Sequence, residues 1–197
     1  TENGLFKNNN NMIKFESDFL AENFYNEFMQ LSNNYYGTNK RSRLKYNNVT
    51  LEYKGEDYLI STYFCPQDDC LSAVLRELED AKKRIYFSTF VITSDQISDM
   101  LILKNNNDID VRGILETRTQ NLRGSDYKEL EKEFDFALDD NKNTMHHKFF
   151  VVDNDTVITG SMNPSSSGIN YNDEHLIIIK NKDINQLYTK EFLSLVE

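Results

Sequence analysis

From Asp68 onward the chain alternates between two hydrophobic periods. Leu71, Val74, Leu75, Leu78 and Ala81 recur on one helix face behind the capping carboxylates Asp68 and Asp69, and Lys82, Lys83 and Arg84 sit where a helix C-terminus favours cations. Ile85 to Ile92 reads as a buried strand, Ser94 opens a helix through Ile97, Met100 and Leu101, and Ile109 to Leu115 reads as another strand. The spacing then predicts a third helix from Ser125 to about Phe136, strands over Lys148–Val152 and Thr156–Thr159 joined by a turn at Asn154-Asp155, a strand over His175–Lys180 and a closing helix from Asp183 to Val196. Strands interleaved with helices predict an α/β layered α-β-α sandwich.

The N-terminal part differs in kind. It carries Asn-rich stretches, a basic run Lys40-Arg41-Ser42-Arg43-Leu44-Lys45 and a predicted hairpin, Val49–Tyr53 with Tyr58–Phe64, around Lys54-Gly55-Glu56-Asp57. Residues 32–48 read as a linker. Gly4–Leu31 aligns without gaps on Gly168–Leu195: Gly4 falls on Gly168, Asn8 on Asn172, Met12-Ile13 on Leu176-Ile177, and Glu27-Phe28-Met29 on Glu191-Phe192-Leu193. The expected organisation is the tail of a preceding homologous repeat over 1–31, a linker and hairpin start over 32–58, and the main domain over 59–197. The sequence opens on Thr1 with no signal-like segment, so the native start is expected upstream, and the compartment is not readable.

Composition narrows the classes. Hydrophobic residues make up 39% and charged residues 27%, with only two Pro, which is a folded chain and not a disordered one. Apolar runs such as Leu176–Ile179 fall far short of the roughly 20 residues that span a bilayer. With 22 Lys and Arg against 32 Asp and Glu, the net charge of -10 removes any global basic footprint, so a polyanion must be met by a local patch. Cys65 and Cys70 are too few for a disulfide framework; half-buried thiols and a single bridge both stay open.

The chemistry is concentrated in His146-His147-Lys148-Phe149-Phe150-Val151-Val152-Asp153, followed by Gly160-Ser161-Met162-Asn163. Six such identities at fixed spacing arise by chance in roughly one of several hundred thousand chains of this length. On a strand, alternate side chains share a face, so His146 and Lys148 point into one site while His147 and Phe149 point away. An imidazole with an unperturbed pKa of about 6.5 is a competent nucleophile or proton donor at neutral pH. Lys148 brings positive charge to a phosphate, and Ser161 and Asn163 bring neutral donors to its non-bridging oxygens.

His146, Lys148, Asp153, Gly160, Ser161 and Asn163 resemble the His-x-Lys-x-x-x-x-Asp plus Gly-Ser-x-Asn signature of the phospholipase D superfamily. The resemblance runs from about Tyr63 to Glu197, through Pro66-Gln67-Asp68-Asp69, Ala81-Lys82-Lys83-Arg84-Ile85 and Asn172-Asp173-Glu174. It implies a phospholipase D/nuclease-like fold with a mixed sheet, and a phosphodiesterase that needs neither metal nor cofactor. Two motifs face each other across a twofold or pseudo-twofold axis; one histidine forms a phosphohistidine and the other protonates the leaving oxygen. Carried onto this chain, His146 is nucleophile or acid, Lys148 and Asn163 hold the phosphate, Ser161 supports the site and Glu174 orients a histidine. For Asp153 two expectations stand side by side: direct catalysis, or a structural carboxylate capping the turn at a strand end.

His147 and His175 are expected to be packed strand residues, and a zinc site built on His146, His147 and His175 fails because neighbouring strand residues diverge. Ser165-Ser166-Ser167-Gly168 has the composition of a phosphate-binding loop, but a Ser-rich stretch after the motif reads first as a connector. Arg118, Arg123 and Lys128 follow the strand ending near Glu116, at the edge that borders the cleft in α/β sheets, and are the first choice for substrate-backbone contacts. One unit supplies one histidine, so the second half is expected from a homodimer or, as the repeat favours, from a preceding unit. In that repeat Asn10 falls where Glu174 lies. With no membrane anchor or basic amphipathic helix in view, the expected substrate is single-stranded or flexible nucleic acid. The acidic charge weighs against this and the Lys40–Lys45 run partly answers it. Phospholipid hydrolysis or phosphatidyl transfer is the alternative, and an inactive binding or assembly module is the third reading.

Overall fold

The computed structural model describes residues 2–196. Two helices, α1 (Glu2–Phe6) and α2 (Asp18–Ser32), flank a stretch that holds one isolated bridge, Asn9 with Met145. Ser17 caps α2 by accepting from the Leu20 amide at 3.3 Å. One face of α2 rests on the body of the protein: Asn23 Oδ1 accepts from the Lys45 and Tyr46 amides, and Glu27 meets Lys40. The expected linker is therefore fixed in place. It holds a 3-10 turn at Gly37–Asn39, and the buried Lys40 side chain also pairs with Asp173 at 2.8 Å. The first cation of the basic run is consumed internally, Lys45 pairs with Glu22 at 2.7 Å, and only Arg41 and Arg43 of that run face solvent unpaired among the ion pairs of the described residues.

β1 (Asn48–Tyr53) and β2 (Glu56–Cys65) form the hairpin, closed by Lys54 and Gly55 at φ 55° and 80°, the left-handed pair that a two-residue turn requires. The hairpin joins the main sheet through β2, which pairs with a later strand, Glu174–Lys180. Cys65 and Cys70 are bridged, with Cα atoms 5.7 Å apart, and the Cys65-Pro66 peptide is cis. Replacing both cysteines with Ser is expected to cost about 2 kcal/mol, the chain-entropy value for so short a loop, seen as a lower urea midpoint. An unchanged midpoint would show that the bridge carries no stability.

After α3 (Cys70–Glu79), β3 (Arg84–Thr89), β4 (Asp110–Leu115) and β5 (Asp135–Leu138) run parallel, with α4 (Asp95–Asn106) crossing between the first two. The helix expected over Ser125–Phe136 is corrected here. Only α5 (Tyr127–Leu130) is helical, and Asp135 begins β5 in register with Arg112. Leu130, Phe134 and Phe136 are all buried, so their spacing satisfied a helix pattern that the free parallel edge of β4 overrode. β6 (Lys148–Val152) and β7 (Thr156–Gly160) follow, then α6 (Ser166–Asn170), β8 (Glu174–Lys180) and α7 (Lys182–Val196).

The result is one mixed eight-stranded sheet in the order β1-β2-β8-β7-β6-β3-β4-β5. On one face Phe87, Phe150, Ile158 and Ile178 pack with Val74, Leu78, Ile97 and Leu101 of α3 and α4. On the other, Tyr86, Phe149, Val151 and Val157 meet Tyr188 and Phe192 of α7. Both faces of β6 are thus buried, which is why its sequence reads as a continuous apolar run.

Candidate active site

The signature residues converge because β6 and β7 are adjacent antiparallel strands, with Phe149 opposite Thr159, so the start of one meets the end of the other. His146, Lys148, Gly160, Ser161, Asn163 and Glu174 line one open pocket together with Asn10 and Asn11. Gly160 takes φ 152°, and a Cβ there would stand 2.2 Å from the His175 carbonyl oxygen. Gly160→Ala is therefore expected to cost about 2–4 kcal/mol and to pull β7 and β8 apart at the pocket, which a thermal melt would register. An unshifted melting temperature would contradict that reading. Ser161 tightens the same junction, its Oγ accepting from the His175 amide at 3.0 Å.

His146 is solvent-exposed, with its ring edge-on to Phe90 at 5.2 Å between centroids. Its backbone amide donates to the Asn9 carbonyl at 3.0 Å, so the N-terminal segment fixes the residue's place. Partial burial and then the Lys148 charge lower its pKa below 6.5, against an opposing pull from Glu116. The ring is neutral at pH 7 and has a free electron pair to offer. Lys148 is buried, lies 5.4 Å from the Phe90 ring centroid and donates to the His146 carbonyl at 3.1 Å. Burial depresses its pKa to about 8, with Glu174 pulling the other way. Asn163 lines the pocket, and its Oδ1 is buried with no partner among the described residues.

The two neighbouring histidines, on the segment leading into β6, point to opposite sides. His147 is buried on the opposite face, held by Asn11 Oδ1 at Nδ1 (3.2 Å) and by Glu191 Oε1 at Nε2 (3.0 Å). His175 packs edge-on to Phe24, 5.7 Å between centroids, outside the pocket. Asp153 lies at the far end of β6, on the order of 20 Å of extended chain from His146. At φ 49° its carboxylate accepts from the amides of Lys82 (3.0 Å), Lys83 (2.7 Å) and Arg84 (3.1 Å). This geometry makes Asp153 a structural clamp on residues 82–84, outside the pocket that His146 lines.

The basic residues expected on the substrate path are placed differently from one another. Arg118 is tied down: its Nε donates to Glu116 Oε1 at 2.5 Å, and it also reaches the Asn143 carbonyl and Thr144. Arg123 and Lys128 are exposed on the segment after β4 and do not line the pocket. Glu116 itself was not expected. Its other oxygen accepts from the Met145 amide at 2.8 Å, one residue before His146. Burial pushes that carboxyl up, but bonds from Arg118 and Met145 outweigh it and hold it ionised below the usual range. No motif marks Glu116 or Phe90, because both act through contacts made only in three dimensions. Among the described residues no group of three or more His, Cys, Asp or Glu is arranged to hold a metal, and no helix is long and apolar enough to cross a membrane.

The family model described as "Cardiolipin synthase, PLD-like domain" matches residues 74–196, the span that carries the pocket's His146, Lys148 and Asn163. The chain belongs to the phospholipase D superfamily. It is 26% identical over 187 residues to a phospholipase D of Rickettsia prowazekii (strain Madrid E), covering 92% of this chain and 84% of that one. It is 30% identical over 126 residues to the mitochondrial cardiolipin hydrolase of Mus musculus, covering 64% of this chain and 57% of the relative. Among solved structures, Nuc from Salmonella typhimurium, a phospholipase D family member, superposes with a TM-score of 0.65 at 21% identity over 70% of this chain and 93% of its own. NucT from Helicobacter pylori gives 0.64 at 18% identity over 71% and 96%. The mixed sheet is this superfamily's fold, and the chain is a phosphodiesterase of the superfamily.

Proposed function

We propose that this phospholipase D superfamily member is a metal-independent phosphodiesterase acting through a phosphohistidine at His146, with a flexible nucleic-acid strand as substrate. The observation that carries the reading is the convergence of an exposed imidazole, a buried ammonium and the Asn163 amide, whose Nδ2 is the group able to donate to a phosphate, in one open pocket. A ring nitrogen of His146 attacks phosphorus, the bond to the leaving oxygen breaks, and that oxygen takes a proton from a second histidine supplied by another unit. Water then displaces the imidazole. Lys148 and Asn163 bear on the non-bridging oxygens, where charge builds in the transition state. The pocket lining is polar, without an aliphatic side chain, which suits the hydrophilic backbone of a polymer.

A second reading rests on a specific neighbour. An apolar cleft of about 480 Å³, lined by Met12, Phe15, Leu20, Phe24 and Ile177, meets the site at Gly160 and Asn11, and acyl chains would fit such a surface. The names of the curated relatives, phospholipase D and cardiolipin hydrolase, weigh the same way. Labelled single-stranded DNA and RNA, beside phosphatidylcholine and cardiolipin vesicles, in excess EDTA and with His146→Ala as control, separate the two. Oligonucleotide cleavage that survives EDTA and vanishes in the variant supports the nuclease. Lipid turnover alone selects the second reading, and a metal requirement overturns both.

The pH profile is a further expected result. Attack needs neutral His146, so kcat/KM rises with pH through a value below 6.5; phosphate binding needs charged Lys148, so it falls again near 8. A rate still climbing above pH 9 would exclude an ammonium requirement at Lys148.

A further inference from the structure

The strand that carries Lys148 is preceded by an arm, residues 139–147, that belongs to no named strand of the sheet, and His146 sits near its end. The turn after β4 holds this arm along its length. Thr117 Oγ1 donates to the Asp139 carbonyl, Arg118 reaches the Asn143 carbonyl and Thr144 Oγ1, and Glu116 Oε2 accepts from the Met145 amide at 2.8 Å. From the other side, the Asn9 carbonyl takes the His146 amide. The imidazole of His146 makes no side-chain hydrogen bond among the described residues, so its place is set through this backbone.

Glu116 is a costly choice for that task. Its side chain is 1% exposed, and a buried carboxylate persists only when paired. Arg118 does the pairing, Nε to Oε1 at 2.5 Å and Nη2 to Oε2 at 3.2 Å, yet that side chain is 58% exposed, so solvent screens its charge far more than the carboxylate's. A neutral acceptor would hold the Met145 amide as well. The charge has a second neighbour. Glu116 draws the His146 ring toward its cationic form, against burial and the Lys148 charge. Glu174 lines the same pocket from the start of β8, but it bears on Lys148 and accepts from Asn172 rather than from a histidine. His147 turns to the opposite side, where Glu191 takes its Nε2, and the N-terminal segment brings only the neutral Asn10 and Asn11 to the pocket.

We infer that Glu116 is a positioning residue for His146: it places the ring through the Met145 amide and supplies the fixed negative charge the ring needs once it carries the phosphoryl group. The inference rests on His146 as the nucleophile. One ring nitrogen gives its electron pair to phosphorus as the bond to the leaving oxygen breaks. The other nitrogen keeps its proton, so the ring becomes a cation near the Lys148 ammonium. Glu116 is anchored before the reaction begins and stabilises this charge without reorganising. The two carboxylates divide the work, Glu116 serving the histidine and Glu174 the lysine.

Glu116→Gln tests this, because glutamine keeps an oxygen for the Met145 amide and removes the charge. The first readout is the titration of His146 by proton NMR, which needs no substrate; the chain has three histidines, and His146→Ala identifies the signal. Without the attracting charge the ring is expected to titrate at lower pH, whereas a purely structural role leaves the titration where it was. The second readout is the burst of p-nitrophenolate from bis(p-nitrophenyl) phosphate. It is expected to slow about tenfold or more while its half-saturating concentration changes less than about twofold, since the charge acts on the cationic ring and not on substrate binding. Glu116→Asp keeps the charge and is expected to titrate like the parent. Glu116→Gln with Arg118→Gln exchanges the ion pair for a neutral one and decides the matter if the single variant does not fold. An unmoved titration, a loss confined to half-saturation, or failure of both variants to fold overturns the inference alone. A parent chain without a burst, or with its adduct on another residue, brings down the nucleophile and this inference with it.

Discussion

His146→Ala is expected to remove turnover by about four orders of magnitude or more while leaving the fold intact. The ring is exposed, its one contact of note is the edge-on Phe90, and its place is set by its backbone amide on the Asn9 carbonyl, which the substitution keeps. The stability change should stay within about 0.5 kcal/mol, the range of surface substitutions. The neighbouring residue gives the opposite result. His147 is buried and bonded at both ring nitrogens, so His147→Ala is expected to cost about 2–4 kcal/mol by stranding Asn11 and Glu191. Thermal melts beside activity per folded molecule check both. Activity retained in His146→Ala would place the nucleophile elsewhere.

The second large effect is on stability. Asp153→Ala removes the carboxylate that collects three consecutive backbone amides, and puts Ala at φ 49°, a region Asp tolerates better. Hydrogen bonds to a charged group are worth about 1.5–3 kcal/mol each, and they share one acceptor here, so a loss of about 3–5 kcal/mol is expected. For a chain of this size that lowers the melting temperature by roughly 10 °C or more. The folded fraction should keep its chemistry. A stable Asp153→Ala protein without activity would return Asp153 to the reaction.

The sequence made legible whatever depends on local period. β6 and β7 alternate or run apolar, α3 is capped by Asp69 and strongly one-sided, and Lys54-Gly55 marks a turn, so these elements emerge where expected. The same alternation correctly parted His146 from His147. What depends on distant partners did not emerge. β5 exists because β4 offers an edge, and Lys40 is buried because Glu27 and Asp173 arrive from either side in sequence. Arg118 was expected to contact substrate from its place after a strand; its ion pair with Glu116 was not legible, nor was the bond from the Met145 amide through which Glu116 steadies the segment that leads from His146 into β6. Asp153 shows the limit of a motif: a structural carboxylate was one of two expectations, but the amides of residues 82–84 that it holds are visible only in the fold.

The most direct test of the central claim uses bis(p-nitrophenyl) phosphate, whose leaving group needs no protonation, so the first step does not wait for a second histidine. The purified chain in excess EDTA should release about one equivalent of p-nitrophenolate in a burst and carry an acid-labile phosphoryl adduct, mapped to His146 by mass spectrometry and absent from His146→Ala. No adduct, an adduct on another residue, or a burst abolished by EDTA would contradict a phosphohistidine mechanism at His146.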